Sequence, residues 1–223
     1  GLWFDRVHDY SHKKGVVFSQ IFAPDGVQSW MVDREELWNK VQNEFDTARN
    51  SVLSKEMDVA LPCELSVEQN IELISEFVED VLVSQGLVVD VNFHNDNPNN
   101  PHMHIMTSTR YIVDRKEGEE STFGNKIREV DTKSFLHYLR SSWASHVNKH
   151  LEKYGFAERV DHRSYKDRGI EIVPTIHEGV GRHSDGSDRA RINREIIGVR
   201  AKQLEEDPTL VVKLLGTEKS YFT

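Results

Sequence analysis

Two short runs of alternating side chains, Leu87–Phe93 and His102–Thr107, flank a turn rich in asparagine and proline (Asn95-Asp96-Asn97-Pro98-Asn99-Asn100-Pro101). Strand side chains repeat with a period of two, so the two runs predict a β-hairpin with one apolar and one polar face. Leu87, Val89, Val91 and Phe93 share one face with Met103, Ile105 and Thr107. Asp90, Asn92 and His94 fall on the other, with His102 and His104. An apolar face of this kind must be covered, which restricts the chain to folds in which helices pack on a sheet. The same register gathers three imidazoles on the open face. Three neutral imidazoles meeting at one point form a divalent-metal site with open coordination positions.

The rest of the chain supplies the layers. Gly15–Phe22 reads as a strand ended by the turn Pro24-Asp25-Gly26. Asp33-Arg34-Glu35-Glu36 is a capping-box pattern, followed at helical spacing by Leu37, Val41, Phe45, Ala48 and Val52. Lys55–Leu61 is a strand stopped by Pro62, with Met57, Val59 and Leu61 inward and Glu56, Asp58 and Ala60 outward. Ser66-Val67-Glu68-Gln69 opens a second helix that carries Val67, Ile71, Ile74, Phe77, Val78 and Val81 inward and stops near Gly86. A loop with Arg115, Lys116 and Gly118 follows the hairpin. A long helix begins near Asp131, places Phe135, Leu139, Trp143, Val147 and Leu151 in the core, and ends at Gly155. Short strands are expected around Ala157–Val160 and Gly169–Val173, a flexible stretch over Gly179–Ser187, and a polar helix over Ala190–Glu206. Without strict βαβ alternation, the fold class is α+β: a central antiparallel sheet with helices packed on one face and the three-histidine metal site on the other.

Composition narrows the function classes. The chain has 223 residues and a net charge of −9, which argues against a surface coated in phosphate-binding groups. The charge is uneven, however: residues 25–90 carry 4 Lys/Arg against 15 Asp/Glu, and residues 133–168 carry 8 against 4. The basic stretch can hold nucleic acid locally or serve as a solvated helix face. No run approaches the roughly 18 apolar residues of a membrane span. Cys63, the single cysteine, excludes an intramolecular disulfide and fits a reducing, cytoplasmic setting.

Each candidate has a bland alternative. A closed structural zinc site would want a further cysteine beside Cys63, and the sequence has none. Glu56 and Asp58 are either solvent-facing strand residues, metal ligands, or carboxylates that orient an imidazole. Asp96 is read as a turn residue rather than a partner of the site. Asp161-His162-Arg163-Ser164-Tyr165 is either a phosphate contact or a turn motif. Met106 occupies the third slot of the His-x-His-x-His strand of histidine-triad nucleotide hydrolases, which removes that reading.

His102-Met103-His104, preceded by Asn100-Pro101 and with His94 eight residues upstream, resembles the metal motif of the MobA/MobL family of plasmid-mobilisation relaxases, particularly the Ti-type conjugal transfer relaxase–helicases. His8-Asp9-Tyr10-Ser11 through Val17, Asp33 through Asn39, Ala60-Leu61-Pro62, Asp161 through Ser164 and Pro174-Thr175-Ile176-His177 also read like the family, as does Thr217–Thr223. The resemblance implies a site- and strand-specific DNA endonuclease and strand transferase in which a tyrosine attacks the scissile phosphate. It implies Mg²⁺ or Mn²⁺ held by His94, His102 and His104, with Glu56 or Asp58 at an acidic position that aids the metal or the nucleophile. The implied partners are single-stranded DNA at a transfer origin and accessory transfer proteins. In the family the nucleophilic tyrosine precedes the His-Asp-Tyr-Ser stretch, whereas Tyr10 matches a downstream position. The expectation is therefore a relaxase domain over residues 1–178 without its start and nucleophile, followed by a linker and helical tail over 179–223 towards an absent helicase part. Metal and single-stranded DNA binding are expected to survive without strand cleavage. A non-catalytic metal- and DNA-binding module, or a phosphoesterase using water, stands as the alternative.

Overall fold

The computed structural model describes residues 15–113, 121–176, 188–207 and 209–210. They fall into two compact units, the first ending at Phe156 and the second beginning at Ala157. The first holds a four-stranded antiparallel sheet of β1 (Val16–Phe22), β2 (Ser54–Ala60), β3 (Val89–His94) and β4 (His102–Ser108), in the order β1-β3-β4-β2. The predicted hairpin is its centre, with His94 opposite His102 and Asn92 opposite His104.

The alternation divides the sheet as expected. Val89, Val91, Phe93, Met103, Ile105 and Val59 are all fully buried on one face. Helices α2 (Val67–Phe77) and α3 (Lys133–Lys153) supply the apolar layer of this core. The α2 start is a complete capping box: Ser66 accepts from the Gln69 backbone, and the Gln69 side chain accepts from the Ser66 backbone. The helix then widens into a π-helical turn at Val78–Leu82 and ends at Gly86, whose φ of 79° suits glycine. On α3, Leu139, Trp143, Val147 and Leu151 form the buried stripe. Phe77 meets Trp143 edge-to-face at 4.9 Å, joining the two helices.

Helices do not all lie on one face. Helix α1 (Arg34–Lys40) and its π-helical continuation Val41–Phe45 cover the far end of the face that bears the histidines. The cause is Asp90, which points away from Val89 and Val91 yet is 1% exposed. Arg34 donates to both of its oxygens (Nη2–Oδ1 2.7 Å, Nε–Oδ2 2.9 Å), and the Trp38 indole adds a third donor at 3.0 Å. A buried carboxylate needs such partners, and α1 brings them. Leu37 and Val41 close a second small core with Val88 and Phe123.

Two further expectations change in this unit. The helix does not run on to Ala48 and Val52 but stops at Phe45, because Asp46 turns inward to an ion-pair node with Arg110 and Lys126. Between the hairpin and α3 the chain forms a second, two-stranded sheet, β5 (Arg110–Val113) with β6 (Thr122–Lys126). Gly124 lets Val113 pack closely there, since a Cβ would lie 2.7 Å from Val113 Cγ1 and force that side chain to shift. Arg115, Lys116 and Gly118 fall outside the described residues.

In the second unit, Ala157–Val160 and Gly169–Val173 are not strands. Their segment runs beside α4 (Asp188–Glu206), whose side chains take up its carbonyls: Gln203 donates to Glu171 O, Arg200 to Val173 O and Asn193 to Ile176 O. Ile170 and Ile172 are buried, so the apolar pattern was real, but a helix satisfies the backbone instead of a strand. The cluster at Asp161 forms a turn. Asp161 accepts from the Arg163 backbone and guanidinium, and Ser164 pairs with Asp167. Arg163, opposed by partial burial, holds the Asp161 carboxyl at about 2. A lowered folded-state pKa stabilises above the ordinary value and is lost as pH falls through the folded one. Asp161→Asn is expected to cost about 1–2 kcal/mol at neutral pH, discounted for the exposed Arg163, and nothing near pH 2. Thermal melts of both proteins between pH 7 and 2 check this. Gly179–Ser187 lies outside the described residues.

Candidate metal centre

His94 ends β3, while His102 and His104 open β4. Their ring centres lie 5.4 Å (His94–His102), 5.0 Å (His94–His104) and 5.3 Å (His102–His104) apart. The turn between the strands is closed by its own polar groups: Asn100 N donates to Asn97 O at 2.8 Å, and Asn99 N to Asn97 Oδ1 at 3.0 Å. It is tied to both neighbours, by Asn95 N to Gly15 O (2.9 Å) and Leu61 N to Pro101 O (2.8 Å). Asp96 packs on Gly15, where a Cβ would come within 2.7 Å of Asp96 Cβ. Asp96 thus belongs to the turn, as expected.

Each histidine of β4 has one nitrogen committed. His102 Nδ1 is 2.9 Å from Asn100 O, and His104 Nδ1 bonds Asp58 Oδ1. Both partners only accept, so Nδ1 carries the proton in each ring and Nε2 keeps its lone pair in the neutral form. Asp58 stands directly across from His104 in the β2–β4 register. Glu56, two residues away on the same face, lies 4.0 Å from the same nitrogen, beyond a hydrogen bond, and is 66% exposed. The structure therefore separates the two acidic candidates by distance.

Among the described residues, two groups place ligand atoms within 4.8 Å of one another: Glu56, Asp58 and His104, and Glu76, Asp80 and His146. The first lies on the histidine face, so residues able to hold a cation gather there. Behind them a polar ladder runs along the sheet, from Ser19 Oγ to Asn92 Oδ1 (2.8 Å) and from Asn92 Nδ2 to Asp90 Oδ1 (3.3 Å). Asp90 itself is spent on Arg34 and Trp38, about 13 Å along β3 from His94. Arg34 is in turn held above its ordinary value by that carboxylate, against its partial burial.

Sequence reasoning missed the Asn100 carbonyl as a partner of His102. The signal was present in Pro101, which fixes the turn and removes one N–H just before the strand. The choice of Asp58 over Glu56 had no signal, because the β2–β4 register depends on chain segments far apart in sequence. Tyr10 lies outside the described residues, and among those described no helix is long and apolar enough to cross a membrane.

Comparison with known proteins gives the family of the chain. The conjugal transfer protein TraA of Rhizobium radiobacter is 32% identical over 97% of this chain, which spans 23% of that protein. The mobilization protein MobL of Acidithiobacillus ferridurans is 28% identical over 97% of the chain and 65% of its own length. A solved structure from work on the molecular basis of vancomycin resistance transfer in Staphylococcus aureus superposes with a TM-score of 0.62 and 39% identity, covering 70% of this chain and 80% of that one. The sequence profile of the MobA/MobL family matches residues 4–185. The chain belongs to the MobA/MobL family.

Proposed function

We propose that this chain is the DNA-processing, relaxase part of a conjugal transfer or mobilisation protein, and that His94, His102 and His104 hold a divalent cation, Mg²⁺ or Mn²⁺, through their Nε2 atoms. The observation that carries the reading is the pair of Nδ1 contacts of the two β4 histidines, His102 with Asn100 O and His104 with Asp58, which leave both Nε2 atoms for an ion. A metal-bonded nitrogen of about 2.1 Å reach, with the ring centre about 1.1 Å further on, puts rings sharing an ion about 4.6–5.3 Å apart. The 5.0 Å of His94–His104 and the 5.3 Å of His102–His104 fall in that range, and the 5.4 Å of His94–His102 lies just beyond it. His94 and His102 stand nearly parallel, 11° apart, so one of them turns about χ2 to share an ion.

His94, His102 and His104 would hold the cation, which would supply Lewis-acid polarisation of a phosphoryl oxygen. Among the chain's own groups, Asp58 orients His104 and strengthens it as a donor, while Glu56 shapes the negative rim. The half-exposed histidines leave room for a strand laid across the open face. The relaxase domain is proposed over residues 1–178, with single-stranded DNA at a transfer origin as its substrate and accessory transfer proteins as further partners.

Tiled single-stranded oligonucleotides from both strands of the transfer origin carried by the encoding replicon test this reading. Selective binding to a segment of one strand, strengthened by Mn²⁺, is expected. Equal affinity for both strands, indifferent to metal, would contradict it. Asp58→Asn is expected to weaken Mn²⁺ binding by about 10- to 100-fold in calorimetric titration. Glu56→Gln is expected to leave it nearly unchanged, and neither should shift stability by more than about 0.5 kcal/mol.

A further inference from the structure

The basic stretch over residues 133–168 plays no part at the histidine site, and the structure divides it. Lys149 and Lys153, near the end of α3, pair with Glu76 and Glu72, while Arg163 and Arg168 pair with Asp161. The side chains of Lys133, His137 and Arg140, in the opening turns of α3, have no ion-pair or hydrogen-bond partner among the described residues. We propose, on the strength of the relaxase reading, that this face of α3 is a second contact for the backbone of single-stranded DNA. It would take phosphates that flank the one at the histidine site.

Residues at i, i+4 and i+7 share one face of a helix, so the three side chains form a stripe about 10 Å long. No Asp or Glu interrupts α3 before Glu152. That placement runs against the helix dipole, whose positive end disfavours cations in the first turn. The other described α-helices obey the rule. Helix α1 opens with Glu35 and Glu36, α2 with Glu68 and α4 with Asp188, whereas α3 opens with Lys133 and no acidic residue. A locally unfavourable choice of this kind is offset when an anion lies across the face. In a chain of net charge −9, such an unpaired cationic stripe marks one place rather than a general attraction for phosphate.

The stripe is open and close to the site. Lys133 and His137 are exposed and Arg140 is half-buried. Leu136 between them is 41% exposed, although it is in phase with Leu139 and Trp143 of the buried stripe. The opening turns of α3 therefore stand clear of the core. The neighbouring acids are engaged elsewhere, Asp131 with Lys55 at 2.6 Å and Glu129 with the Tyr111 hydroxyl at 3.1 Å. The Lys55–Asp131 pair also ties the start of α3 to β2. Lys55 lies about 10 Å along β2 from Asp58, which bonds His104, and β2 is an edge of the four-stranded sheet. A DNA strand leaving the histidine face round that edge meets Lys133.

Fluorescence anisotropy of a labelled single strand from the transfer origin, titrated with the full chain and Mn²⁺ over a series of salt concentrations, tests this. Lys133→Gln with Arg140→Gln is compared with Lys149→Gln and Lys153→Gln, which remove the same formal charge from the far end of the same helix. The first pair is expected to weaken binding and to lower the slope of log affinity against log salt by about 1.4, two contacts at about 0.7 each. The second pair is expected to leave the slope unchanged. The first pair should also melt no lower than the wild type, because it removes cations from the positive end of α3. Should that pair fail to fold, Lys133→Gln alone, at an exposed position, carries the test with a fall of about 0.7. An unchanged slope with the first pair, or an equal fall with both, overturns the α3 contact and leaves the relaxase reading standing. A wild type that binds no single strand contradicts that reading, and the α3 contact with it.

Discussion

His102→Ala is expected to abolish stoichiometric Mn²⁺ binding at the β3–β4 hairpin and to slow any metal-dependent DNA strand cleavage about a thousandfold. The size follows from the several kcal/mol of charge stabilisation that a bound cation supplies to a phosphoryl group, each 1.36 kcal/mol being about tenfold. Folding should be almost unaffected, because the ring is half-exposed and the Asn100 carbonyl it leaves can turn to water. The contrast with Asp58→Asn is informative. Losing an orienting carboxylate weakens the site by about 10- to 100-fold, whereas losing a ligand removes it. Calorimetry with Mn²⁺ and single-turnover cleavage of a transfer-origin oligonucleotide by the full-length protein measure the two. If His102→Ala bound Mn²⁺ as the wild type does, the assignment of His102 would fall.

The second large effect is on stability and lies at Asp46, 1% exposed at its side chain. Arg110 donates to it through Nη2 (3.0 Å) and Nε (3.2 Å), and Lys126 adds Nζ at 2.9 Å. Burial pushes the Asp46 carboxyl up, but Arg110 and then Lys126 outweigh it and hold it below the usual value. Arg110 also donates to Phe45 O at 3.0 Å and Gly124 O at 2.8 Å, clamping the end of the α1 segment to the β5–β6 hairpin. Arg110→Ala leaves the buried carboxylate with Lys126 and a long contact from the Thr109 hydroxyl (3.4 Å), and two bare carbonyls. The expected cost is about 3 kcal/mol, the low end for breaking a buried pair, or about 6–12 °C in Tm for a chain of this size. Asp46→Asn with Arg110→Ala should cost less than the two single changes added together, by about 1 kcal/mol or more. Denaturant melts of the four proteins settle it, and strict additivity would contradict the node.

These effects also show where the sequence was informative. The Leu87–Thr107 hairpin could be read from parity alone, since one apolar and one polar residue in turn leaves a single register that buries Val89, Val91, Met103 and Ile105 together. The capping residues Asp33 and Ser66 and the Leu139–Leu151 stripe were readable for the same reason: each signal lies within a few residues. What escaped depended on distant partners. Val52, though in helical phase with Phe45, is 47% exposed because Asp46 answers to Arg110, more than sixty residues away. Ile170 and Ile172 looked like a strand, but α4 rather than a neighbouring strand takes up their segment's carbonyls. At the site, the three histidines were visible as a group, while the division of labour between Glu56 and Asp58 was set by pairing with β4.

The placement of the cation is the central claim, and anomalous diffraction from crystals grown with Mn²⁺ tests it most directly. The account predicts a peak bonded to Nε2 of His94, His102 and His104, with Asp58 remaining on His104 Nδ1. A peak held instead by Glu56 and Asp58, with the three Nε2 atoms unbonded, would contradict it.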